Sequence, residues 1–277
     1  MPAEFTASTY TYLWKDGLAT AIDEIADAGY RGVELMAAPP HIELSGDTRP
    51  AAAAARDACQ RAGVNIASVA AGFDVNLASP DGAMRDWSLK HYQAAGRFAA
   101  QLGARYLVVH PGRRHPFKPA PYEAAREWVI AGLTRITDAM RDEGVRPVLE
   151  NTPSTILDTA EECVDVVRAV GADRLGVCYD VANGLMVEDP RHGLRAVAEL
   201  LQLVHVSDTT AADWRHDPIG TGDGDFTALA ATVEEIGYAG PVVVETIHRS
   251  RPGPGLRSDR LALQHAGWTA HGATPKR

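Results

Sequence analysis

Alanine-rich amphipathic segments alternate along the chain with short apolar runs, and a glycine separates many of these pairs. A glycine in this place is typical of a helix C-terminus, where the backbone often needs a positive φ angle. The pattern therefore predicts helices that each end at a glycine and lead into a buried strand. Six units of this kind have their glycines at Gly29, Gly63, Gly103, Gly144, Gly171 and Gly237.

Continuous apolar runs separated by helical segments are typical of a parallel sheet covered by helices. Eight such units in 277 residues predict a single α/β domain over residues 1–277, a (β/α)8 or TIM barrel. A doubly wound open sheet is the alternative, but no glycine-rich dinucleotide fingerprint follows the first run. The eight predicted strands are Phe5–Tyr12, Gly32–Leu35, Asn65–Ala70, Tyr106–His110, Pro147–Asn151, Leu175–Asp180, Leu203–Val206 and Val242–Thr246.

The segment 249–277 differs from the rest of the chain. It begins with the Arg-, Pro- and Gly-rich stretch RSRPGPGLR and continues with a short helical pattern near Leu261–Trp268. We expect an irregular approach to the last helix, followed by a frayed terminus. An active-site cover is the alternative interpretation.

Composition and charge disfavour several classes of partner and site. The hydrophobic fraction of 45% is ordinary for a globular domain, and the net charge of −9 disfavours a nucleic-acid partner. Three cysteines without a C-x-x-C spacing fit reduced, buried thiols better than disulfides or a thiolate zinc site. No leader pattern and no apolar run of about 18 residues is present, so we expect a cytoplasmic protein without a membrane partner.

Polar side chains close five of the apolar runs: His110, Glu150, Asp180, His205 and Glu245. An isolated carboxylate in this place usually caps a helix. Barrel active sites lie at the carboxyl ends of the strands, however, so these side chains should meet. Three carboxylates in one cleft would repel one another, whereas a divalent cation would keep them ionised. Oxygen ligands with one imidazole suit Mn²⁺, Mg²⁺ or Co²⁺, and Zn²⁺ is less favoured without a thiolate.

Five motifs carry a resemblance to a known family. They are HPG at His110–Gly112, LEN at Leu149–Asn151, YDVAN at Tyr179–Asn183, HVSD at His205–Asp208 and PIGTGDGDF at Pro218–Phe226. With them, the chain from Gly29 to Thr246 resembles the xylose-isomerase-like TIM barrel superfamily. That superfamily includes ketose 3-epimerases, hydroxypyruvate isomerase, inosose dehydratase, a class of 3-dehydroshikimate dehydratases and endonuclease IV-type nucleases.

The resemblance implies that Glu150, Asp180, His205 and Glu245 hold one divalent metal ion, with Mn²⁺ as the first choice. It also implies that Glu150 and Glu245 act as acid and base on opposite faces of a small polyhydroxylated keto substrate, through a metal-stabilised enediolate. We therefore expect a metal-dependent sugar isomerase or epimerase. The alternatives are a dehydratase (lyase) of a cyclic keto-polyol, such as an inosose or 3-dehydroshikimate, and a non-catalytic metal-binding barrel.

Several positions depart from the relatives. The nucleases hold three zinc ions with extra histidines, but this chain has Asn183 and Ala70 at two of those positions, although His110 and His216 match. Nuclease activity is therefore disfavoured. The ketose 3-epimerases have a histidine at the position of Asn183 and a glutamate at that of Ile156, so a free ketohexose is in question as the substrate.

The remaining site candidates are expected substrate contacts. Arg215 has the alternative of an ion pair with Asp208 or Asp213, Glu34 that of a salt bridge, and Trp14 that of packing. Gly220, Gly222 and Gly224 are expected to shape a turn near the site. Relatives are often dimers or tetramers, so a homo-oligomer is compatible with the resemblance. The six candidates are His110, Arg215, His216, Asn183, Glu34 and Trp14.

Overall fold

The computed structural model describes residues 5–72 and 74–268, in which eight parallel strands close into a barrel. The predicted TIM barrel is confirmed. The strands are β1 Thr6–Ser8, β2 Gly32–Met36, β3 Asn65–Ala70, β4 Tyr106–Val109, β5 Arg146–Glu150, β6 Gly176–Asp180, β7 Leu201–Val206, β8 Asp208–Thr210, β9 Asp213–Asp217 and β10 Val242–Val244. Their spatial order in the barrel is β1-β10-β7-β6-β5-β4-β3-β2, and a separate two-stranded sheet pairs β8 with β9.

Helices cover the outside of the barrel and bury their apolar faces against the strands. They are α1 Leu18–Asp27, α2 Arg49–Ala62, α3 Gly82–Leu102, α4 Tyr122–Met140, α5 Ala160–Val170, α6 Val181–Leu185, α7 Pro190–Val197, α8 Phe226–Glu235 and α9 Pro252–His265.

The glycines that the sequence singled out do lie at helix ends, and all six have a positive φ. Gly63 is representative: at φ 69° it caps α2, and its N–H lies against the carbonyls of Cys59 and Gln60. A residue with a Cβ would be strained at this angle. The helix-glycine-strand unit is therefore a correct interpretation of the sequence.

Two predicted elements are wrong in extent. The first strand ends at Ser8 rather than Tyr12, because the Ser8 hydroxyl accepts the N–H of Tyr10 and starts a 3₁₀ helix over Thr9–Tyr12. The stretch expected to be irregular near Pro252 is instead the start of α9. Proline is tolerated there because the first turn of a helix has no intrahelical partner for its N–H groups. Residues 269–277 of the predicted C-terminal segment lie outside the described residues.

The barrel interior explains how the site is positioned. A layer of buried side chains fills it, formed by Met36, Ala70, Tyr106, Val108, Val148, Cys178, Leu203 and Val243. Side chains on one face of a strand recur every second residue. The next inward layer therefore lies two residues further along these strands and is polar. It contains Glu150, Asp180, His205 and Glu245, which follow Val148, Cys178, Leu203 and Val243.

Two further expectations concern the chain as a whole. All three cysteines are free and buried, as predicted. Among the described helices, none has the length and apolar character needed to cross a bilayer.

Candidate metal centre

The polar layer brings together the four predicted metal ligands, Glu150, Asp180, His205 and Glu245, which we call the strand-end cluster. One ligand atom from each lies within 4.8 Å of all the others. All four side chains are buried, with exposures of 5% or less. β5, β6 and β7 carry the first three, and Glu245 follows β10 directly. The structure therefore groups three carboxylates and one imidazole as the sequence predicted.

The donor atoms of the cluster fit a cation. Asp180 caps α6 through Oδ1, which accepts the N–H of Asn183 at 2.7 Å, while its Oδ2 is buried and has no hydrogen-bond partner in the described structure. Nδ1 of His205 is also buried and forms no hydrogen bond with any described residue. Unsatisfied polar atoms in a protein interior are costly, and a divalent ion would satisfy both. The helix-cap and metal-ligand interpretations of Asp180 are thus compatible, because each uses a different oxygen.

Glu34 orients the imidazole of the cluster. Its Oε2 accepts a hydrogen bond from Nε2 of His205 at 3.1 Å and a second one from Oγ of Ser68 at 2.7 Å. A proton on Nε2 leaves the lone pair on Nδ1, which lies 3.4 Å from Glu245 Oε2 and 3.6 Å from Glu150 Oε1. The hydrogen bond to Glu34 therefore leaves Nδ1 as the ring nitrogen that faces the other cluster residues.

The pKa values of the two glutamates of the cluster are shifted in opposite directions. Burial raises the pKa of Glu150 to about 8, against the pull of His205. Burial acts in the same sense on Glu245, but His205, His216 and His110 outweigh it and hold the pKa of Glu245 below its usual value. Burial also raises the pKa of Asp180. At neutral pH the metal-free site therefore contains one protonated and one ionised glutamate.

Two further histidines border the cluster. Burial lowers the pKa of His110 to about 4, so its ring is neutral at pH 7. Nδ1 of His110 lies 3.4 Å from Glu150 Oε2, and its backbone is held by the hydroxyl of Tyr92. Nδ1 of His216, on β9, lies 3.7 Å from Oε2 of Glu245. Each glutamate thus has its own imidazole neighbour.

An open cavity of about 230 Å³ lies above the cluster. Glu150, Glu245, His110, His216 and Asn183 all line it. The expected acid and base, Glu150 and Glu245, therefore face the same space as three of the expected substrate contacts.

Asn183 connects this cavity to the β8-β9 hairpin. Its amide nitrogen donates to Glu150 Oε1 at 3.2 Å and to the Asn151 carbonyl at 2.9 Å, while its oxygen accepts Nε1–H of Trp214 at 2.8 Å. Both polar atoms of the Asn183 side-chain amide are thus hydrogen-bonded. Asn183 therefore links the hairpin to Glu150, a candidate catalytic residue.

Three expected substrate contacts do not line the cavity over the cluster. Trp14 is 80% exposed and does not line it. Arg215 forms an ion pair with Asp213, the alternative considered from the sequence, and lines a neighbouring cavity. Glu34 lies beneath His205 rather than in the cavity.

The glycine-rich stretch after β9 is organised by a carboxylate of the protein itself. Asp208 is fully buried and accepts the backbone N–H groups of Gly220, Gly222 and Gly224 at 2.8–3.1 Å. A Cβ on Gly222 would lie 2.2 Å from the carbonyl oxygen of Thr209. Gly222 is therefore needed for close approach, and the N–H groups of all three glycines are already occupied.

Comparison with known proteins identifies the family. The family model described as "Xylose isomerase-like TIM barrel" matches residues 22–269. This chain belongs to that family. A relative from Mycobacterium tuberculosis named probable endonuclease 4 is 30% identical over 196 residues, which cover 66% of this chain and 73% of the relative.

Solved structures of the same fold include two sugar epimerases or epimerase-like proteins. A D-tagatose 3-epimerase-like protein superimposes with a TM-score of 0.83 at 22% identity, covering 95% of this chain and 96% of its own. The 3-keto-D-glucoside 4-epimerase YcjR from E. coli gives a TM-score of 0.81 at 18% identity, covering 95% and 99%. At these identities the likeness concerns the fold.

The sequence did not identify every residue that shapes the site. Ser68 and Asn151 are such cases: Ser68 supports Glu34, and Asn151 exchanges two hydrogen bonds with the backbone of Asp180. Trp214 also escaped notice, although it and His216 lie two residues apart in DWRHD. Had that stretch been interpreted as a strand, the period of two would have put both on one face.

Proposed function

We propose that the protein is a divalent-metal-dependent epimerase or isomerase of a small keto-polyol, with Glu150 and Glu245 as its two proton-transfer groups. The observation that carries the proposal is the pair of glutamates itself. Both line one cavity and lie within 3.6 Å of Nδ1 of His205, and their pKa values are shifted in opposite directions. Two carboxyl groups held in different protonation states are what an acid and a base require at neutral pH.

The strand-end cluster would hold the ion, with Mn²⁺ as the preferred candidate because its ligands are mainly oxygens. A bound divalent cation polarises a carbonyl or hydroxyl oxygen and stabilises the negative charge that develops on it. The unsatisfied Asp180 Oδ2 and His205 Nδ1 are the support for this assignment in the chain.

The protein's own residues account for the proton transfers. One glutamate removes the proton from the carbon next to the carbonyl, and the other delivers a proton to the opposite face. His110 and His216 lie beside Glu150 and Glu245 respectively and are positioned to contact the substrate's oxygens. Asn183 fixes one oxygen of Glu150 through its amide group.

A nuclease function is not proposed, although several relatives are named probable endonuclease 4. Asn183 and Ala70 supply no imidazole, and the four-residue cluster offers ligands for one ion within the described residues. Asn183 is instead engaged with Trp214 and Glu150.

The test is a panel of keto-sugars and cyclic keto-polyols in D₂O, with Mn²⁺, Mg²⁺ or Co²⁺ added to chelator-treated protein. Proton NMR should detect deuterium entering next to the carbonyl, together with formation of the epimer or isomer. A new enone absorbance would instead indicate the dehydratase. No exchange and no product with any compound or metal would overturn the proposal.

Two variants address the glutamates. Glu150→Gln and Glu245→Gln should each abolish epimerisation, and each should retain at most deuterium exchange from one epimer, because one base remains. Metal content must be measured on both, since both residues are proposed ligands. Glu43→Gln, an exposed glutamate elsewhere, is the control. Full epimerisation by either cluster variant would exclude the two-base assignment.

A further inference from the structure

A second cavity, of about 420 Å³, adjoins the cavity over the cluster and shares Arg113, Trp214 and His216 with it. We call it the outer cavity. Three guanidinium groups line it, from Arg113, Arg215 and Arg249, with a single carboxylate from Asp217. This concentration of positive charge is unexpected at the mouth of an acidic site in a chain of net charge −9.

Two of the three arginines are available to a ligand. Arg215 is paired with Asp213. Arg113 and Arg249 form no salt bridge with any acidic side chain of residues 5–72 and 74–268. Both are exposed at the rim of the barrel. Their charges are therefore not neutralised within the described protein.

The backbone at both arginines is held in place. Arg113 pairs with Thr155 in an isolated antiparallel bridge, and its carbonyl accepts a hydrogen bond from the amide of Asn76 at 3.1 Å. Two residues before Arg249, the N–H of Ile247 donates to the carbonyl of His216 at 2.6 Å. Both arginines thus extend into the outer cavity from anchored segments.

Arg113 also lines the cavity over the cluster, together with Glu150 and Glu245. It is therefore common to both cavities. A group bound at Arg113 can belong to the same ligand as a group over the cluster.

We propose that the outer cavity binds an anionic group, a carboxylate or a phosphate, on a substrate whose keto-polyol end lies over the strand-end cluster. The proposal rests on the proposed function and specifies its substrate class. A guanidinium group matches both anions through paired N–H donors. Since the cluster is itself acidic, cations at its mouth also favour the approach of an anionic substrate.

Binding of compounds that lack a carbonyl tests the proposal without turnover. Isothermal titration of metal-loaded protein should give sorbitol 6-phosphate or gluconate an affinity at least about 10-fold above that of neutral sorbitol. The double variant Arg113→Gln/Arg249→Gln should lose about 10- to 100-fold of that affinity, since charged hydrogen bonds contribute this much, and should bind sorbitol unchanged. The two anions separate a phosphate site from a carboxylate site.

The control is the double variant Arg114→Gln/Arg251→Gln, which changes the charge equally at neighbouring arginines outside both cavities. It should bind the anionic probes like wild type. Gluconate can also bind a metal directly, so only the affinity lost in the Arg113/Arg249 variant counts as support. Equal losses in both double variants, or none in either, would overturn the proposal.

The outcome is separable from that of the proposed function. Efficient turnover of neutral keto-sugars, with a KM that Arg113→Gln/Arg249→Gln leaves unchanged, would overturn the anion site and support the epimerase. Anion binding that depends on Arg113 and Arg249, without turnover of any keto-polyol, would support the anion site and overturn the epimerase.

Discussion

Glu34 accepts a hydrogen bond from Nε2 of His205 at 3.1 Å, across the barrel interior from β2 to β7. Both side chains are fully buried. The contact joins a residue outside the cavity to a proposed metal ligand and decides which ring nitrogen carries the proton. Glu34 therefore acts through His205 and is a positioning residue.

Replacing Glu34 with glutamine should weaken metal binding. The substitution keeps the shape but removes the charge that favours the Nε2–H tautomer, and losses of this kind are about 10- to 100-fold in metal affinity. Titration of chelator-treated protein with Mn²⁺, followed by calorimetry or thermal shift, measures the effect directly.

Ser68→Ala provides the matched control for Glu34. It removes the second hydrogen bond to the same oxygen while leaving the carboxylate charge. We expect a smaller loss of affinity than in Glu34→Gln. If Glu34→Gln binds Mn²⁺ as tightly as wild type, Glu34 has no role in orienting the ligand.

Much of the site was accessible from sequence because strand ends are local features. Glu150, Asp180 and Glu245 each follow an apolar run, so the barrel alone predicts that they converge. Contacts between distant elements were not accessible. The Glu34–His205 pair spans 171 positions, and the period of a single strand cannot specify which side chain faces which across the interior.

Local side-chain contacts and polar sequence explain why two parts of the fold could not be predicted. The first strand stops early because the side chain of Ser8 caps a turn, and the β8-β9 hairpin was hidden by the polar sequence DWRHD. Strand propensity is weak for such residues, so their pairing depends on tertiary context. Trp14 was the tryptophan expected at the rim from the sequence, but the hairpin instead brings Trp214 to the cavity.

The stability of the metal-free protein should fall as the pH rises from about 6 to 8. Burial raises the pKa of Glu150 to about 8, whereas its ordinary value is 4.5, so in this interval the folded state still holds a proton that the unfolded chain has already released at lower pH. The free energy of unfolding should therefore decrease by about 1 kcal/mol per pH unit. The raised pKa of His205, whose neighbouring anions outweigh its burial, acts in the same direction. Urea unfolding of chelator-treated protein at pH 6, 7 and 8 measures this slope.

Glu150→Gln serves as the comparison for that slope. The amide does not titrate, so the variant should lose less stability over the same interval. Saturating Mn²⁺ should also reduce the dependence in wild type, because a cation keeps the carboxylates ionised. A slope that is identical in wild type and Glu150→Gln would exclude Glu150 as its source.

Asp208→Asn should destabilise the protein without touching the cluster. The carboxylate accepts several backbone N–H groups of the glycine-rich loop, and an amide replaces one acceptor oxygen with a donor. We expect a loss of about 2–3 kcal/mol in the free energy of unfolding, equivalent to a Tm lower by about 5–10 °C. Asp223 lies in the same loop and accepts one exposed N–H, that of Ala211. Asp223→Asn should therefore change the Tm much less. Equal melting temperatures for the two variants would contradict this role.

Trp214→Phe should lower turnover while leaving metal affinity intact. The indole N–H holds the oxygen of Asn183, whose nitrogen in turn donates to Glu150 Oε1 at 3.2 Å. Without the indole donor the amide is free to rotate, and Glu150 loses a fixed partner during proton transfer. A decrease of about 10-fold in kcat/KM is expected for the keto-polyol identified by the substrate panel, which corresponds to about one hydrogen bond. Trp87→Phe, at an exposed tryptophan of α3, is the control. A similar change in both variants would mean that the link from the hairpin through Asn183 to Glu150 does not contribute to catalysis.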